Sequence, residues 1–335
     1  MKAQVLHGHG KIDDIRFESN WPDPVPGPGD VVLKVKACTL NYHDIFTLRG
    51  MPGISLTMPL IMGIDVAGEV AEVGEGVEGW QCGDRVMVDP FDSQTGKLLG
   101  ERMDGGLAEF VKVPSRQLIR LPPEVSFEAA AALPVAYGTA YRMMRRGRLQ
   151  AGEKVFILGA SGGVGTCCVQ LAKLAGCQVI VAASSQEKLD KLREVGADDG
   201  VDYTRGDWVR EMQGRYGKAR FAGRGAGGVD VVVNFTGGDT WVPSLKCLIN
   251  DGRLLTCGAT AGFDPKEDIR LIWTFELNII GSNGWMREDL ERLLELVQQG
   301  KLNPVIDRVL PLQDAQEAFR LLDQRRIVGK IVVAP

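Results

Sequence analysis

At 335 residues the chain is long enough for about two domains, and 44% hydrophobic with 24% charged residues can fill a core in each. A formal net charge of −4 argues against a nucleic-acid protein, which would carry a basic face. No run of 18 uncharged apolar residues exists, so no membrane span is expected.

Up to about residue 122 the pattern predicts mostly β structure. Short β-rich runs at 31–37 and 84–88 alternate with Gly and Pro punctuation. Residues 21–30 hold four prolines, which remove backbone donors, and read as a connecting segment. Residues 63–74 read as strands with tight turns. After Pro122-Pro123 the texture changes. Residues 127–133 are Ala-rich and predict a helix. Strand patterns at 154–158, 178–183, 229–234, 253–257 and 278–281 then alternate with helix patterns at 164–175 and 186–195. That alternation implies βαβ units and a parallel sheet. Leu290, Leu293, Leu294 and Val297 form one face of a helix over 287–299, which Gly300 ends. A short helix at 315–322 and a last strand at 329–333 close the chain.

Residues 1–7 show no apolar core with a small-residue cleavage site, so no leader is expected. The seven cysteines (Cys38, Cys82, Cys167, Cys168, Cys177, Cys247, Cys257) form no C-x-x-C pair and read as reduced thiols. A cytoplasmic protein is the expectation.

The turn Gly159-Ala160-Ser161-Gly162-Gly163-Val164-Gly165 follows the apolar run 155–158 and opens the predicted helix from Val164. Small residues are needed there for a tight turn, for close approach of backbone to a pyrophosphate, and for helix–strand packing. The free N–H groups and positive dipole end of the helix then face the phosphates. This reading makes the turn a dinucleotide site. An NAD site usually places an acid about 20 residues on. Here the second strand runs Ala182-Ala183 into Ser184-Ser185-Gln186-Glu187-Lys188, with no acid at its end. Hydroxyls and a nearby cation suit a 2′-phosphate, which favours NADP(H). Glu187 falls inside the next helix as a dipole partner. The Gly/Arg-rich residues 214–228 read as an exposed loop at the sheet edge opposite the cofactor. Its Arg215, Lys218, Arg220 and Arg224 read as solvated rather than as a phosphate site.

Several segments resemble the medium-chain dehydrogenase/reductase superfamily, and within it the zinc-free quinone oxidoreductase branch. They are residues 35–44 (Val-Lys-Ala-Cys-Thr-Leu-Asn-Tyr-His-Asp), 63–74, 133–140, the turn at 159–165, and Val328-Gly329-Lys330-Ile331-Val332-Val333. The resemblance implies an α/β chain: a GroES-like β-barrel catalytic domain from residues 1–122 and 286–335, and a Rossmann doubly wound parallel sheet from 123–285. It implies an active site in the cleft between them and a homodimer joined through Rossmann edge strands near 278–282. Zinc-dependent members carry Cys where this chain has Asn41, a hydroxyl residue at His43, and Gly-His-Glu at Gly63-Ile64-Asp65. The cysteine-rich structural-zinc lobe is absent from 89–106, and no Cys/His cluster has a zinc spacing. No metal is expected.

Without a Lewis acid, hydride transfer is easiest to a substrate that delocalises the resulting charge, such as a quinone or an α,β-unsaturated carbonyl. Donors then hold the oxygen and a side chain or water supplies the proton. Asn41, Tyr42, His43 and Tyr137 are the catalytic candidates. His43 titrates near neutrality and suits a proton donor, or else it satisfies loop backbone. Tyr42 is a donor or a packing residue. Asp44 reads as an orienting carboxylate. For the cofactor the resemblance implies Thr139 at the nicotinamide end and backbone of Ala160, Ser161, Gly162, Gly163, Val164 and Gly165 at the phosphates. It further implies Ser184, Lys188, Tyr203 and Arg325 at the 2′-phosphate, Asn234 by the ribose, and Gly258, Ala259 and Thr260 by the nicotinamide. Enoyl-thioester reduction, alcohol dehydrogenation, and an idle dinucleotide-binding sensor or scaffold remain alternatives. The expected partner is a small-molecule substrate.

Overall fold

The apolar runs at 154–157, 178–183 and 229–233 show no alternation of exposure, as expected of strands covered on both faces. Each forms part of a six-stranded parallel sheet in the computed structural model, which describes residues 1–50, 56–220 and 227–335. The chain divides into two units, Gly138–Met286 and Met1–Tyr137 with Arg287–Pro335.

In the first of these units the strands in chain order are β1 (Lys154–Ile157), β2 (Gln178–Ala183), β3 (Asp199–Asp202), β4 (Val229–Val233), β5 (Leu248–Thr256) and β6 (Asn278–Gly281). Their spatial order is β3-β2-β1-β4-β5-β6, a doubly wound Rossmann sheet. The order reverses between β1 and β4, so the chain leaves their C-terminal ends in opposite directions and opens a crevice there. Phe156, Ile180, Val232 and Leu254 are buried in its core.

Strand β3 was not expected from sequence. Two aspartates and a glycine in four residues have poor strand propensity, and tertiary pairing overrides it. β3 runs in register with β2, from Ile180↔Asp199 to Ala183↔Asp202. Asp199 then accepts hydrogen bonds from the Tyr216 hydroxyl (2.5 Å) and Arg215 (2.8 Å), which tie helix Trp208–Tyr216 to the strand. Arg215 therefore belongs to a helix and an ion pair, not to a solvated loop. Lys218 and Arg220 are exposed, and Arg224 lies outside the described residues.

The other unit is built from both chain ends. Its long strand Asp30–Thr39 pairs antiparallel with Asp65–Val73, with Phe110–Pro114, and with the last strand Lys330–Ala334. Leu33, Val66, Val86, Val113, Phe319 and Val333 fill its core. The crossing between units falls after Tyr137 rather than at residue 122. The Ala-rich helix Phe127–Ala131 packs on strands Asp30–Thr39 and Asp65–Val73 and so stays with the β-rich unit. The return crossing is at Arg287, one residue later than expected.

Two glycines shape the turn after β1. Gly159 has φ of 68°, in the region that favours glycine. A Cβ on Gly165 would lie 2.5 Å from the Cα and carbonyl oxygen of Ala160, so any side chain there pushes the helix off the turn. At Gly162 the same atom would meet only the Gly159 oxygen at 3.7 Å. Gly165→Ala should therefore cost about 1–3 kcal/mol in urea denaturation, with Gly162→Ala costing clearly less. Equal costs would contradict the packing reading.

Candidate active site

The helix Gly163–Leu174 begins at Gly162, and no side chain caps it. Its first-turn N–H groups are left to an anion, as the helix terminus favours. Ser161, Gly162, Gly163 and Val164 are half-buried there, while Ala160 and Gly165 are buried. Ser184 follows the end of β2, Lys188 lies in the first turn of helix Gln186–Val195, and Ser185 caps that helix by accepting from the Lys188 N–H (3.3 Å). The Tyr203 N–H donates to the Ala183 carbonyl (3.1 Å), which brings Tyr203 beside Ser184. Nearby acids are committed elsewhere. Glu187 is paired with Lys191 (3.2 Å), and Asp202 holds Thr204 and Arg205.

Asn234 is not a cofactor ligand through its side chain. It is fully buried, its Oδ1 accepts the Thr236 and Gly237 N–H groups, and its Nδ2 donates to Thr240 and Ser244. It shapes the turn after β4 instead. That turn is laced to the one after β5, where Thr260 N–H donates to Phe235 O (3.2 Å) and Ala261 N–H to Thr236 O (2.8 Å). Gly258, Ala259 and Thr260 therefore stand beside the β4 turn. Thr139 is half-buried in the first turn of helix Gly138–Gly147. Arg325 lies just beyond helix Ala315–Asp323, in the β-rich unit.

In the β-rich unit, Asn41 ends the long strand's run and precedes helix Tyr42–Arg49. Its amide is held on both sides: Nδ2 donates to Asp65 Oδ2 (2.8 Å), and Oδ1 accepts from Lys330 Nζ (2.5 Å). Lys330 also donates to the Leu40 carbonyl (2.8 Å) and to Asp65 (3.2 Å). Asp65 also accepts the Val135 N–H, and the Thr39 hydroxyl lies 3.2 Å from it while standing closer to the Ala131 carbonyl (2.9 Å). Lys330 and Asp65 have side-chain exposures of 3% and 0%, so this is a fully enclosed ion pair. One Asn41 amide hydrogen is left for a ligand.

Tyr42 packs edge-on against Phe46, with ring centroids 5.2 Å apart, and its hydroxyl has no partner among the described residues. His43 Nε2 lies 2.6 Å from Glu101 Oε2, so it pairs with a carboxylate and not with loop backbone. Burial opposes the imidazolium, but the Glu101 hydrogen bond and the charges of Asp44 and Glu101 outweigh it and raise the His43 pKa. Asp44 is buried and pushed up to about 6 by desolvation, although it accepts the Asn41 N–H (2.7 Å). Its other carboxylate oxygen has no partner among the described residues. Tyr137 is fully buried, which keeps its hydroxyl from a substrate; its oxygen accepts the Val305 N–H (2.8 Å). Glu101, Asp65 and Lys330 were not singled out from sequence; Asp65 and Lys330 stood inside motifs whose partners are distant in the chain.

Residues 27–123 match the family model of an alcohol dehydrogenase GroES-like domain, and residues 163–299 that of a zinc-binding dehydrogenase. Acryloyl-coenzyme A reductase of Metallosphaera sedula is 30% identical, covering 99% of both chains. The chain is a medium-chain dehydrogenase/reductase. An NAD-dependent alcohol dehydrogenase structure superposes with a TM-score of 0.91 and 34% identity over all of both chains. The structure of the 2-octenoyl-CoA carboxylase reductase CinF, in complex with NADP and 2-octenoyl-CoA, gives 0.84 and 26% over 99% of this chain and 87% of that one.

Members of this superfamily differ in whether they use zinc, so its fit here matters. Asn41 stands where zinc-dependent members have a cysteine ligand, and its oxygen already holds an ammonium group. Ile64, where those members have a histidine, is apolar and fully buried. A dication at Asn41 would sit against the Lys330 charge, and among the described residues no group of three or more His, Cys, Asp and Glu could hold a metal. The residues do not fit a catalytic zinc. The uncapped helix and the hydroxyl-lined end of β2 do fit a dinucleotide.

The raised His43 pKa has a consequence for stability. The pair with Glu101 should contribute on the order of 1 kcal/mol, complete below the ordinary histidine value near 6.5 and lost as pH rises through the higher folded value. Urea denaturation of the wild type and His43→Gln from pH 5 to 9 checks this. A stability difference that grows with pH would contradict it.

Proposed function

We propose that the protein is an NADPH-dependent, zinc-independent reductase of quinones or α,β-unsaturated carbonyls. The observation that carries the reading is the enclosed Asn41–Asp65–Lys330 network, which puts a rigid amide donor and a fixed cation where a metal ligand would otherwise stand. When bound, NADPH supplies the hydride. The chain's own groups do the rest. The remaining Asn41 hydrogen and the Tyr42 hydroxyl bind an oxygen that gains negative charge, which favours acceptors that spread that charge. His43, its pKa raised by Glu101 and Asp44, is the proton source.

The relatives support both halves of this reading. One is named for reducing acryloyl-coenzyme A, a conjugated thioester, and a structural neighbour holds NADP with an enoyl-CoA. The NADPH preference rests on Ser184, Lys188 and Tyr203, with no acid at the end of β2. Enoyl-thioester reduction is the alternative that the same observations favour next. We read the active form as a cytoplasmic homodimer, since the described helices include none long and apolar enough to cross a membrane and β6 is an exposed edge strand.

NADPH oxidation should be seen with quinones, enones or enoyl thioesters and not with simple aldehydes. Binding of NADPH with no turnover of any of them would leave only an idle dinucleotide-binding protein. Lys188→Ala should weaken NADPH by about tenfold and NADH much less. Equal weakening, read by fluorescence titration, would contradict the 2′-phosphate site.

A further inference from the structure

Helix Gly138–Gly147 carries Arg142 and Arg146 four residues apart, hence on one face. The C-terminal ends of β5 and β6 are tied together by the Ser282 N–H donating to the Thr256 carbonyl (2.8 Å). A cavity of about 480 Å³, lined by Arg142, Arg146, Cys257, Gly258, Ser282 and Asn283 among others, opens at these strand ends. Its size suits a small ligand, and ligands of open α/β sheets bind at this end of the strands.

The charge in this cavity is unbalanced. No carboxylate lines it, and among the described residues neither Arg142 nor Arg146 is in an ion pair. Arg146 uses Nε on the Gly281 carbonyl (2.8 Å), which fixes its guanidinium. Arg142 Nε and Ser282 Oγ are buried and have no hydrogen-bond partner among the described residues. Buried polar atoms are normally satisfied, and each orphan costs about 1–3 kcal/mol. Two guanidinium groups outside any ion pair at one cavity are the complement of an anion with several acceptor oxygens.

We propose that this cavity binds an acidic group, phosphate or carboxylate, carried by the substrate itself. The inference rests on the reductase reading and narrows its substrate class to anionic acceptors. The group is not the cofactor's 2′-phosphate. Ser184 and Tyr203 stand at the ends of β2 and β3, and the cavity stands at β5 and β6. β2 and β5 are three strand steps apart, roughly 14 Å at the usual spacing, on opposite sides of the β1/β4 switch point. The cavity instead adjoins Gly258, in the turn assigned to the nicotinamide end.

Steady-state kinetics with three acceptors tests this: but-2-enoyl-coenzyme A for phosphate, 4-oxopent-2-enoate for carboxylate, and but-3-en-2-one as the neutral control. In Arg142→Ala and Arg146→Ala, KM for an anionic acceptor should rise about tenfold, while kcat/KM for the neutral enone stays within about twofold and NADPH affinity is unchanged. Arg→Lys variants should recover part of the loss. Whichever anionic acceptor responds identifies the group. Equal losses for neutral and anionic acceptors, or no loss for either anionic one, would overturn the proposal. Wild-type enzyme that reduces the neutral enone alone refutes the anion site and leaves the reductase reading standing. No turnover of any acceptor refutes the reading itself and the anion site with it.

Discussion

The burial of one ammonium group organises the β-rich unit. Lys330 and Asp65 are both removed from water, and each ion gives up several kcal/mol of hydration. Their mutual attraction offsets that only because neighbouring groups satisfy what remains. Leu40 and Asn41 accept from the ammonium, while Asn41 and Val135 donate to the carboxylate and the Thr39 hydroxyl lies 3.2 Å from it. These donors and acceptors come from the long strand, from the start of the helix after it, from the strand at Asp65, from the segment before the crossing, and from the last strand of the chain. Losing either charged partner would leave the other buried and uncompensated, a cost of about 3–5 kcal/mol. The same arrangement fixes the Asn41 amide, and it puts a positive charge where a metal would need a ligand.

Around this fixed point the two acid–base groups of helix Tyr42–Arg49 are pushed upward for different reasons. Asp44 is raised by desolvation, with one oxygen unpartnered among the described residues. His43 is raised by acidic neighbours despite its burial. The two shifts differ in consequence: Asp44, at about 6, still carries the charge at neutral pH that helps to raise its neighbour His43. In the other unit the chemistry is carried by backbone: an uncapped helix, a turn that tolerates no side chain at Gly165, and two loops laced together beyond β4 and β5.

Much of this was legible in the sequence wherever local pattern and tertiary role agree. Apolar runs without alternation marked β1, β2 and β4, and the small residues at 159–165 marked the turn between β1 and its helix. Pattern failed where tertiary contacts decide. Asp199–Asp202 is a strand because β2 and Arg215 make it one. Tyr137 and Asn234 carry the right functional groups in the right neighbourhoods, yet both are buried inside the fold, where Tyr137 accepts a backbone N–H and Asn234 shapes a turn. Glu101 is 58 residues from His43 and Lys330 is 289 from Asn41, so neither pairing leaves a local signal. The domain crossing moved for a related reason: a helix belongs to the unit that buries its face, not to the one its composition resembles.

The central claim is that an internal ammonium takes the place of a metal at Asn41. Metal analysis of active, purified protein tests it most directly, with NADPH oxidation followed before and after prolonged chelation. The account predicts zinc well below one ion per chain and activity that survives chelation. One zinc per chain, retained through purification and lost together with activity on chelation, would contradict it.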